Sequence, residues 1–432
     1  MATPSVRRST RLLPTVVAIS LWLAAAAAAA PGPAWVPEDI VPPSKGDTLL
    51  CPGHFLSPPQ GAAVLDQALR RFPDRASWEA YAQHARARIQ EGAGLAPWPR
   101  RTPLNAVVRR LRRYDGYTVE NVAFESVPGY LVTGNLYRPL QARPPYAVVL
   151  TTHGHAKAIA KPEDYDTHAR FAPGVQARGA TLARMGAIVL AIDMFAYGDS
   201  IQLVGQAAHK QPFALTLQVW NAVRAVDFLL SLEGADPERV AVTGESGGAT
   251  QALLLAALDA RVTASVPVVM VSSHFFGGCP CESGRPIHRS ADHFASNAMI
   301  AALAAPRPQL VVSDGKDWTS RVPDVELPFL QRVYGYYDAA AQVANVHLPD
   351  EGHDYGPSKR LALYRFLAER LGLTLSAAQA PDGSLAEDRV TIERAAALHV
   401  FDADFPIPPD ALHDAARIEH ALQHLQSVPD LR

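Results

Sequence analysis

Residues 239–251 read RVAVTGESGGATQ, and they give the strongest indication of the fold. The apolar run before the serine is typical of a buried strand, and an apolar helical pattern continues after it to Leu258. Between them stands Gly-x-Ser-x-Gly, which is typical of a sharp strand-to-helix turn that lifts the serine hydroxyl clear of the sheet. Gly244 and Gly248 flank Ser246 because side chains there would collide with neighbouring backbone. The stretch predicts a catalytic serine, with a purely structural turn as the alternative.

Further apolar runs alternate with helical patterns along the chain. Strands are predicted at 146–151, 187–192, 240–243, 264–271, 310–313 and 343–348, and helices at 173–185, 214–232, 250–258, 325–337 and 359–371. Such alternation predicts a mostly parallel sheet with helices on both faces. A hairpin of two strands, 117–125 and 130–137, is predicted before it. An antiparallel start followed by a parallel sheet predicts the α/β-hydrolase fold.

The chain is longer than one hydrophobic core usually grows, so we expect a catalytic domain with extensions. Residues 1–30 are predicted to form a signal peptide and residues 31–113 a Pro-rich arm with a helical extension, its two helices broken at 72–74. Residues 114–372 would form the catalytic domain and residues 373–432 a short accessory segment.

The N-terminus has the three parts of a secretory signal. Arg7, Arg8 and Arg11 precede an apolar run, 12–30, that ends in alanines suited to cleavage. A membrane anchor is the alternative, since the run is just long enough to span a bilayer. We expect a secreted or periplasmic protein that is free of the membrane after cleavage; the general secretory route fits the residues better than the twin-arginine route.

Charge and cysteine content limit the partners. The net charge is −2, and no long basic run occurs beyond the N-terminus, so nucleic acid is excluded as a partner and a neutral or small-molecule substrate is favoured. Three cysteines allow one disulfide, joining Cys51 to Cys279 or Cys281, or a strained Cys279–Cys281 bridge. Three unpaired thiols are the alternative.

An acid and a histidine follow the serine in the order typical of the fold. Asp317 comes shortly after a predicted strand, beyond a glycine turn, and is preferred to Asp314 as the acid. His353 comes after the last predicted strand and before the last core helix. His353 would take the Ser246 proton, and Asp317 would fix its tautomer. For either aspartate, a loop cap is the alternative.

The oxyanion hole is predicted from two backbone N–H groups. One belongs to Gly247 at the helix start, and the other to His155 in the loop after an early strand, where Gly154 allows the turn. His153 and His155 suggest a metal site, yet no third and fourth ligand with matching spacing accompanies them, so neither a metal nor a cofactor is predicted. Residues 193–200 are expected to shape the pocket wall or to form a structural turn.

Short motifs between residues 51 and 371 resemble a family of secreted bacterial α/β-hydrolases, the acetyl xylan esterase-like esterases. The motifs are 51–57 (CPGHFLS), 134–139 (GNLYRP), 153–155 (HGH), 193–194 (DM), 197–200 (YGDS), 244–248 (GESGG), 274–279 (HFFGGC), 281–284 (CESG), 314–318 (DGKDW) and 351–356 (EGHDYG). The resemblance implies a carboxylic ester hydrolase that uses Ser246, Asp317 and His353 without a cofactor, on acylated plant carbohydrate. The best-known acetyl xylan esterases commonly have glutamine after the serine, where this chain has Gly247.

Two other functions share parts of this pattern. A serine peptidase of the prolyl-oligopeptidase type has the same triad order, but it carries a large propeller where residues 34–113 are short and helical. A non-catalytic binding protein on a hydrolase scaffold would not need the three triad residue types in order. Residues 275–297, which lack periodicity, are expected to roof the pocket.

Overall fold

The N-terminal extension is helical in the computed structural model, which describes residues 1–2, 32–38, 40, 49–155 and 166–427. The apolar run and cleavage site of the predicted signal peptide lie outside these residues. The helices α1 (Pro58–Arg71) and α2 (Arg75–Gly92) break where the sequence predicts. Asp74 caps α2 by accepting a hydrogen bond from the Ser77 N–H at 2.9 Å.

The described strands form a single sheet. They are β1 (Val107–Arg113), β2 (Tyr117–Val127), β3 (Tyr130–Pro139), β4 (Tyr146–Thr152), β5 (Ile188–Ile192), β6 (Ala235–Glu245), β7 (Ala264–Val268), β8 (Gln309–Asp314) and β9 (Val343–Leu348). Their spatial order is β1-β2-β3-β5-β4-β6-β7-β8-β9. The pairs from β1 to β2, β3 and β5 are antiparallel, and those from β5 through β4 to β9 are parallel. This is the predicted α/β-hydrolase fold.

Helices cover both faces of the sheet. Beyond the extension they are α3 (Pro173–Arg184), α4 (Ser200–Val204), α5 (Phe213–Ser231), α6 (Gly247–Leu258), α7 (Pro280–Ser283), α8 (Asn297–Ala302), α9 (Leu327–Gly335), α10 (Pro357–Leu371), α11 (Ala395–Leu398) and α12 (Ala415–Ser427). A hydrophobic core lies on each face of the sheet, and successive residues of β4 point to opposite faces. Val148 belongs to the core with α5 and α6, and Val149 belongs to the core with α3 and α10. α5 is long and apolar enough to cross a membrane, but 89% of its apolar window is buried in this core.

The sequence did not predict β1. Its residues, VVRRLRR, contain four arginines, and its burial alternates along an edge of the sheet. Arg109 and Arg112 are half-buried and pair with Asp402 and Glu393 of the C-terminal segment, whereas Val108 and Leu111 are exposed. The strand therefore lacks the alternation of buried apolar and exposed polar residues on which the prediction depends. β6 also begins earlier than predicted, at Ala235, because hydrogen bonding to β4 continues beyond the apolar run.

The C-terminal segment packs into the same compact unit as the sheet, Gly32–Arg432. Leu398 and Val400 are fully buried. The Leu398 carbonyl accepts hydrogen bonds from Asn135 of β3 and from the buried guanidinium of Arg170. The segment therefore completes the core beside β3, and the predicted boundary at residue 373 stays a prediction.

Candidate active site

Ser246 stands between the last residue of β6 and the first residue of α6. Its φ of 55° and ψ of −123° form a conformation that non-glycine residues rarely adopt and that costs about 1–3 kcal/mol. Its N–H donates to the Val268 carbonyl at 3.1 Å. A Cβ on Gly244 would lie 2.2 Å from Thr152 Oγ1, and one on Gly248 would lie 2.7 Å from the His153 carbonyl oxygen. The strained turn and both glycines match the predicted elbow.

Asp317 and His353 meet through a short hydrogen bond. His353 Nδ1 lies 2.7 Å from Asp317 Oδ2. The other carboxylate oxygen accepts from the Thr319 N–H at 2.6 Å and from its hydroxyl at 2.5 Å. Because an ionised carboxylate can only accept a hydrogen bond, His353 Nδ1 must carry the proton and donate it to Asp317. Nε2 then has a free lone pair. Asp317 follows β8 and His353 follows β9, so both lie at the carboxyl edge of the parallel sheet, where Ser246 follows β6.

Asp314, the alternative acid, has other partners. Its fully buried side chain lies 3.3 Å from Lys359 Nζ, and its Oδ1 accepts from the Lys316 N–H at 3.1 Å. Burial, followed by the Asp317 charge, raises the pKa of Asp314, and Lys359 acts against that rise. Asp314 thus ties the loop after β8 to α10, whereas Asp317 contacts His353.

The loop after β4 packs directly against the elbow. A Cβ on Gly154 would lie 3.0 Å from the Glu245 carbonyl oxygen and 3.2 Å from Ser246 Cβ. The His155 ring covers Gly247, where an added Cβ would lie 2.6 Å from His155 Cε1. This adjacency suits the predicted oxyanion hole of the Gly247 and His155 N–H groups, whose role stays a prediction.

His153 is a buried structural histidine. Its Nε2 accepts from the Met194 N–H at 3.0 Å, so its Nδ1 carries the proton and donates to the Gly154 carbonyl at 2.9 Å. Burial lowers the pKa of His153 to about 3. This neutral ring uses both nitrogens within the fold.

His155 belongs to a different group, which we call the Cys–His cluster: His155, His209, Cys279 and Cys281. One nitrogen or sulfur atom from each lies within 4.8 Å of all the others. His155 Nε2 is 2.9 Å from His209 Nε2 and 3.0 Å from Cys281 Sγ. The absence of a metal, inferred from the lack of further ligands at matching sequence spacing, stays a prediction, but three ligand-type side chains do surround His155 in space. The neighbours come from distant segments, which no local spacing reveals.

The three cysteines are unpaired, as in the free-thiol alternative. Their environments differ. Burial raises the pKa of Cys51 to about 12. The hydrogen bond with Cys281 lowers the pKa of Cys279 to about 2; burial acts against this shift, and the imidazoles of His155 and His209 add to it. The surroundings of Cys279 therefore favour its thiolate form, whereas those of Cys51 favour the neutral thiol.

An aromatic wall adjoins His353. The Phe275 and Trp318 rings stack with centroids 3.8 Å apart, and the Trp318 centroid lies 4.6 Å from that of His353. The ring centroid of His54 lies 5.0 Å from that of Phe275. Phe275, at the start of the segment 275–297, and His54 of the N-terminal arm thus lie beside Trp318, the ring next to His353. The sequence did not single out Trp318 or His54; their presence inside family motifs was the available signal.

The turn at residues 193–200 is structural. Asp193 Oδ2 accepts from the Thr133 hydroxyl at 2.7 Å, from Arg170 Nε at 2.9 Å and from the Asp199 N–H at 3.0 Å. Arg170 is fully buried and also pairs with Asp199. The Phe195 carbonyl in this turn lies 2.7 Å from His209 Nδ1 and forms a hydrogen bond with it. The turn thereby orients the His209 ring within the Cys–His cluster.

Comparisons with known proteins identify a matching family and similar solved structures. The family described as Acetyl xylan esterase (AXE1) matches residues 109–277. The solved structure of Methylesterase BT1017 superposes with a TM-score of 0.76 and is 38% identical, over 87% of this chain and 82% of that one. A Glucuronoyl Esterase from Solibacter usitatus, 17% identical over 68% of this chain and 94% of that one, has a TM-score of 0.50 and supports the fold alone.

Proposed function

Because the chain belongs to the acetyl xylan esterase-like family of carboxylic ester hydrolases, we propose that it cleaves carbohydrate esters through an acyl-enzyme on Ser246. The observation that carries the proposal is the 2.7 Å hydrogen bond between Asp317 and His353 at the sheet edge where Ser246 follows β6. The Asp317 side chain is 4% exposed, so little water screens its charge from the imidazole.

Acylation begins when His353 Nε2 takes the Ser246 proton as Oγ attacks the ester carbonyl carbon. The oxyanion of the tetrahedral intermediate accepts from the Gly247 and His155 N–H groups. The imidazolium then protonates the leaving alkoxide, and the carbon–oxygen bond breaks to give the acyl-enzyme and an alcohol. Asp317 stabilises the imidazolium throughout.

Deacylation repeats these steps with water. His353 takes a proton from the water as its oxygen attacks the acyl carbon, and then returns the proton to Ser246 Oγ as the acid leaves. The net reaction converts an ester and water into an acid and an alcohol. No cofactor is needed for this chemistry.

Two kinds of carbohydrate ester fit the mechanism, and they differ in which half binds to Ser246. An acetyl ester leaves acetate on the serine and releases the sugar first. A methyl ester of a sugar acid leaves the sugar acid on the serine and releases methanol first. We favour the methyl ester, since the relative with 38% identity over 87% of this chain is a methylesterase. Gly247 also departs from the glutamine of the best-known acetyl xylan esterases.

The test is to incubate the purified protein with methyl-esterified uronate oligosaccharides, acetylated xylan, feruloyl esters and peptides. We expect methanol release that exceeds acetate release at equal ester concentration and that is absent with Ser246→Ala. Faster acetate release would assign the acetyl ester instead. Cleavage of peptides alone would overturn the esterase proposal in favour of the peptidase.

We propose that the protein is exported and acts in the periplasm or outside the cell. The support is the sequence of residues 7–30, with its basic start and apolar run. N-terminal sequencing of the protein recovered from its native host should begin shortly after residues 28–30. An intact residue 1 in membrane-bound material would favour the anchor.

A further inference from the structure

We propose that the Cys–His cluster of His155, His209, Cys279 and Cys281 binds a structural zinc ion. Two imidazoles and two thiols are a common ligand set of structural zinc, and a softer ion than magnesium or calcium is required because two donors are sulfur. One donor atom from each residue lies within 4.8 Å of the other three.

The separations fit one ion in the centre. Zinc–nitrogen bonds of about 2.0–2.1 Å and zinc–sulfur bonds of about 2.3 Å place tetrahedral ligand atoms roughly 3.3–3.8 Å apart. The His155 Nε2 to His209 Nε2 distance is 2.9 Å, and the His155 Nε2 to Cys281 Sγ distance is 3.0 Å. An outward shift of a few tenths of an ångström in each atom would open the site to tetrahedral coordination.

The second nitrogen of each ring is held as a metal-binding histidine requires. His209 Nδ1 faces the Phe195 carbonyl at 2.7 Å, so Nδ1 carries the proton and the Nε2 lone pair enters the cluster. His155 Nδ1 lies 3.5 Å from the buried carboxylate of Glu282, whose other oxygen accepts from the Gly278 N–H at 2.6 Å. Both nitrogens can then direct lone pairs at each other, an arrangement that a cation between them stabilises.

Two of the four ligands, His209 and Cys281, are buried, and the other two, His155 and Cys279, are half-buried. His209 is 4% exposed and Cys281 is 1% exposed. Four protein ligands leave no coordination position for water or substrate, which is typical of a structural site and not of a catalytic one. The ion would join the loop after β4, the turn Gln206–Lys210 and the segment 275–297. It would thereby hold the His155 ring against Gly247, next to Ser246.

The test measures metal in the full-length protein purified under reducing conditions and loaded with zinc. We expect about one equivalent of zinc per chain after gel filtration. Cys279→Ser and His209→Gln should each reduce it below about a tenth of an equivalent. Cys51→Ala is the matched control, because Cys51 is a buried thiol outside the cluster and this variant should keep its zinc.

Cobalt gives a readout that needs no variant. Cobalt(II) in the wild-type protein should produce tetrahedral visible bands and a sulfur-to-cobalt charge-transfer band, and zinc should displace both. A strong chelator should lower the melting temperature by more than about 5 °C, and zinc, but not magnesium, should restore it. Substoichiometric zinc after loading, a featureless cobalt spectrum or a Cys279–Cys281 disulfide in the reduced preparation would each overturn the proposal.

Discussion

The Asp317–His353 pair and the Cys–His cluster are built at the same edge of the sheet and use histidine in different ways. The pair follows β8 and β9, and the cluster draws on loops after β4, β5 and β7. His353 is 29% exposed and makes its one hydrogen bond among the described residues through Nδ1, which leaves Nε2 for proton transfer. His209 is buried and directs Nε2 at other ligand-type atoms. In both rings Nδ1 has a hydrogen-bond partner, and the surroundings of Nε2 therefore distinguish the proposed base, His353, from the proposed ligand, His209.

The largest effect is expected from the serine itself. Ser246→Ala removes the nucleophile on which the pair acts, and it should lower kcat on an ester by on the order of a million-fold. Steady-state kinetics with p-nitrophenyl acetate measure this, and the circular dichroism spectrum should be unchanged. Turnover close to that of the wild-type protein would contradict this distinction, because His353 would then have a structural role, like the histidines of the Cys–His cluster.

A smaller loss is expected when the acid is neutralised. Asp317→Asn keeps the side-chain shape but disturbs the tautomer of His353 and removes its counter-charge, so kcat should fall by about 10⁴-fold. Asp314→Asn is the matched control, since Asp314 contacts Lys359, and its kcat should fall by less than about 10-fold. Equal losses in both variants would remove the special role of Asp317.

Gly247→Ala tests the contact between the elbow and the Cys–His cluster. The added methyl group would lie 2.6 Å from His155 Cε1 and 3.0 Å from Glu282 Oε1, so the free energy of unfolding should fall by about 1–3 kcal/mol. Gly335→Ala is the control, because nothing lies within 4 Å of a Cβ there. Urea denaturation measures both variants. An unchanged free energy of unfolding in Gly247→Ala would mean that the His155 ring is not packed tightly against the elbow.

The smallest effect concerns His288, on the segment that carries the cluster's cysteines. The ring is 1% exposed, and burial lowers the pKa of His288 to about 4, below its usual value near 6.5. The unfolded chain therefore binds the proton first, and stability present above about pH 6.5 is lost as the pH falls toward 4.

His288→Asn removes this titration, and its amide can still donate to the Ala295 carbonyl that lies 2.8 Å from His288 Nδ1. The slope of unfolding free energy against pH between pH 6 and 5 should decrease by up to about 1.4 kcal/mol per pH unit. Urea titrations at several pH values measure the slope. An identical slope in the variant would show that His288 does not titrate in the fold.

The triad candidates were accessible from sequence because the α/β-hydrolase fold orders them along the chain. Asp317 and His353 each follow a strand whose apolar run is visible, so their place at one edge follows from the parallel sheet. The choice between Asp317 and Asp314 needed the glycine turn as an extra signal, and the structure gives Asp317 the contact with His353.

The Cys–His cluster was not accessible in the same way. His155 and Cys281 are 126 positions apart, and only the sheet order brings their loops together. Cys279 and Cys281 are separated by one residue, and this spacing was interpreted as a possible strained disulfide and not as a pair of metal ligands. The strand β1 was missed for another reason, since Arg109 and Arg112 occupy half-buried positions of this edge strand where apolar residues would be expected. Long-range packing and edge exposure both remove the local periodicity on which sequence reasoning depends.

Covalent labelling of the active-site serine tests whether Ser246 forms the acyl-enzyme intermediate. The protein is treated with a fluorophosphonate, digested and analysed by mass spectrometry, with activity followed in parallel. We predict one adduct on the peptide that carries Ser246, formed in proportion to the loss of esterase activity and absent with Ser246→Ala. Full inactivation without an adduct on Ser246, or esterase activity that persists when Ser246 is fully labelled, would contradict the account.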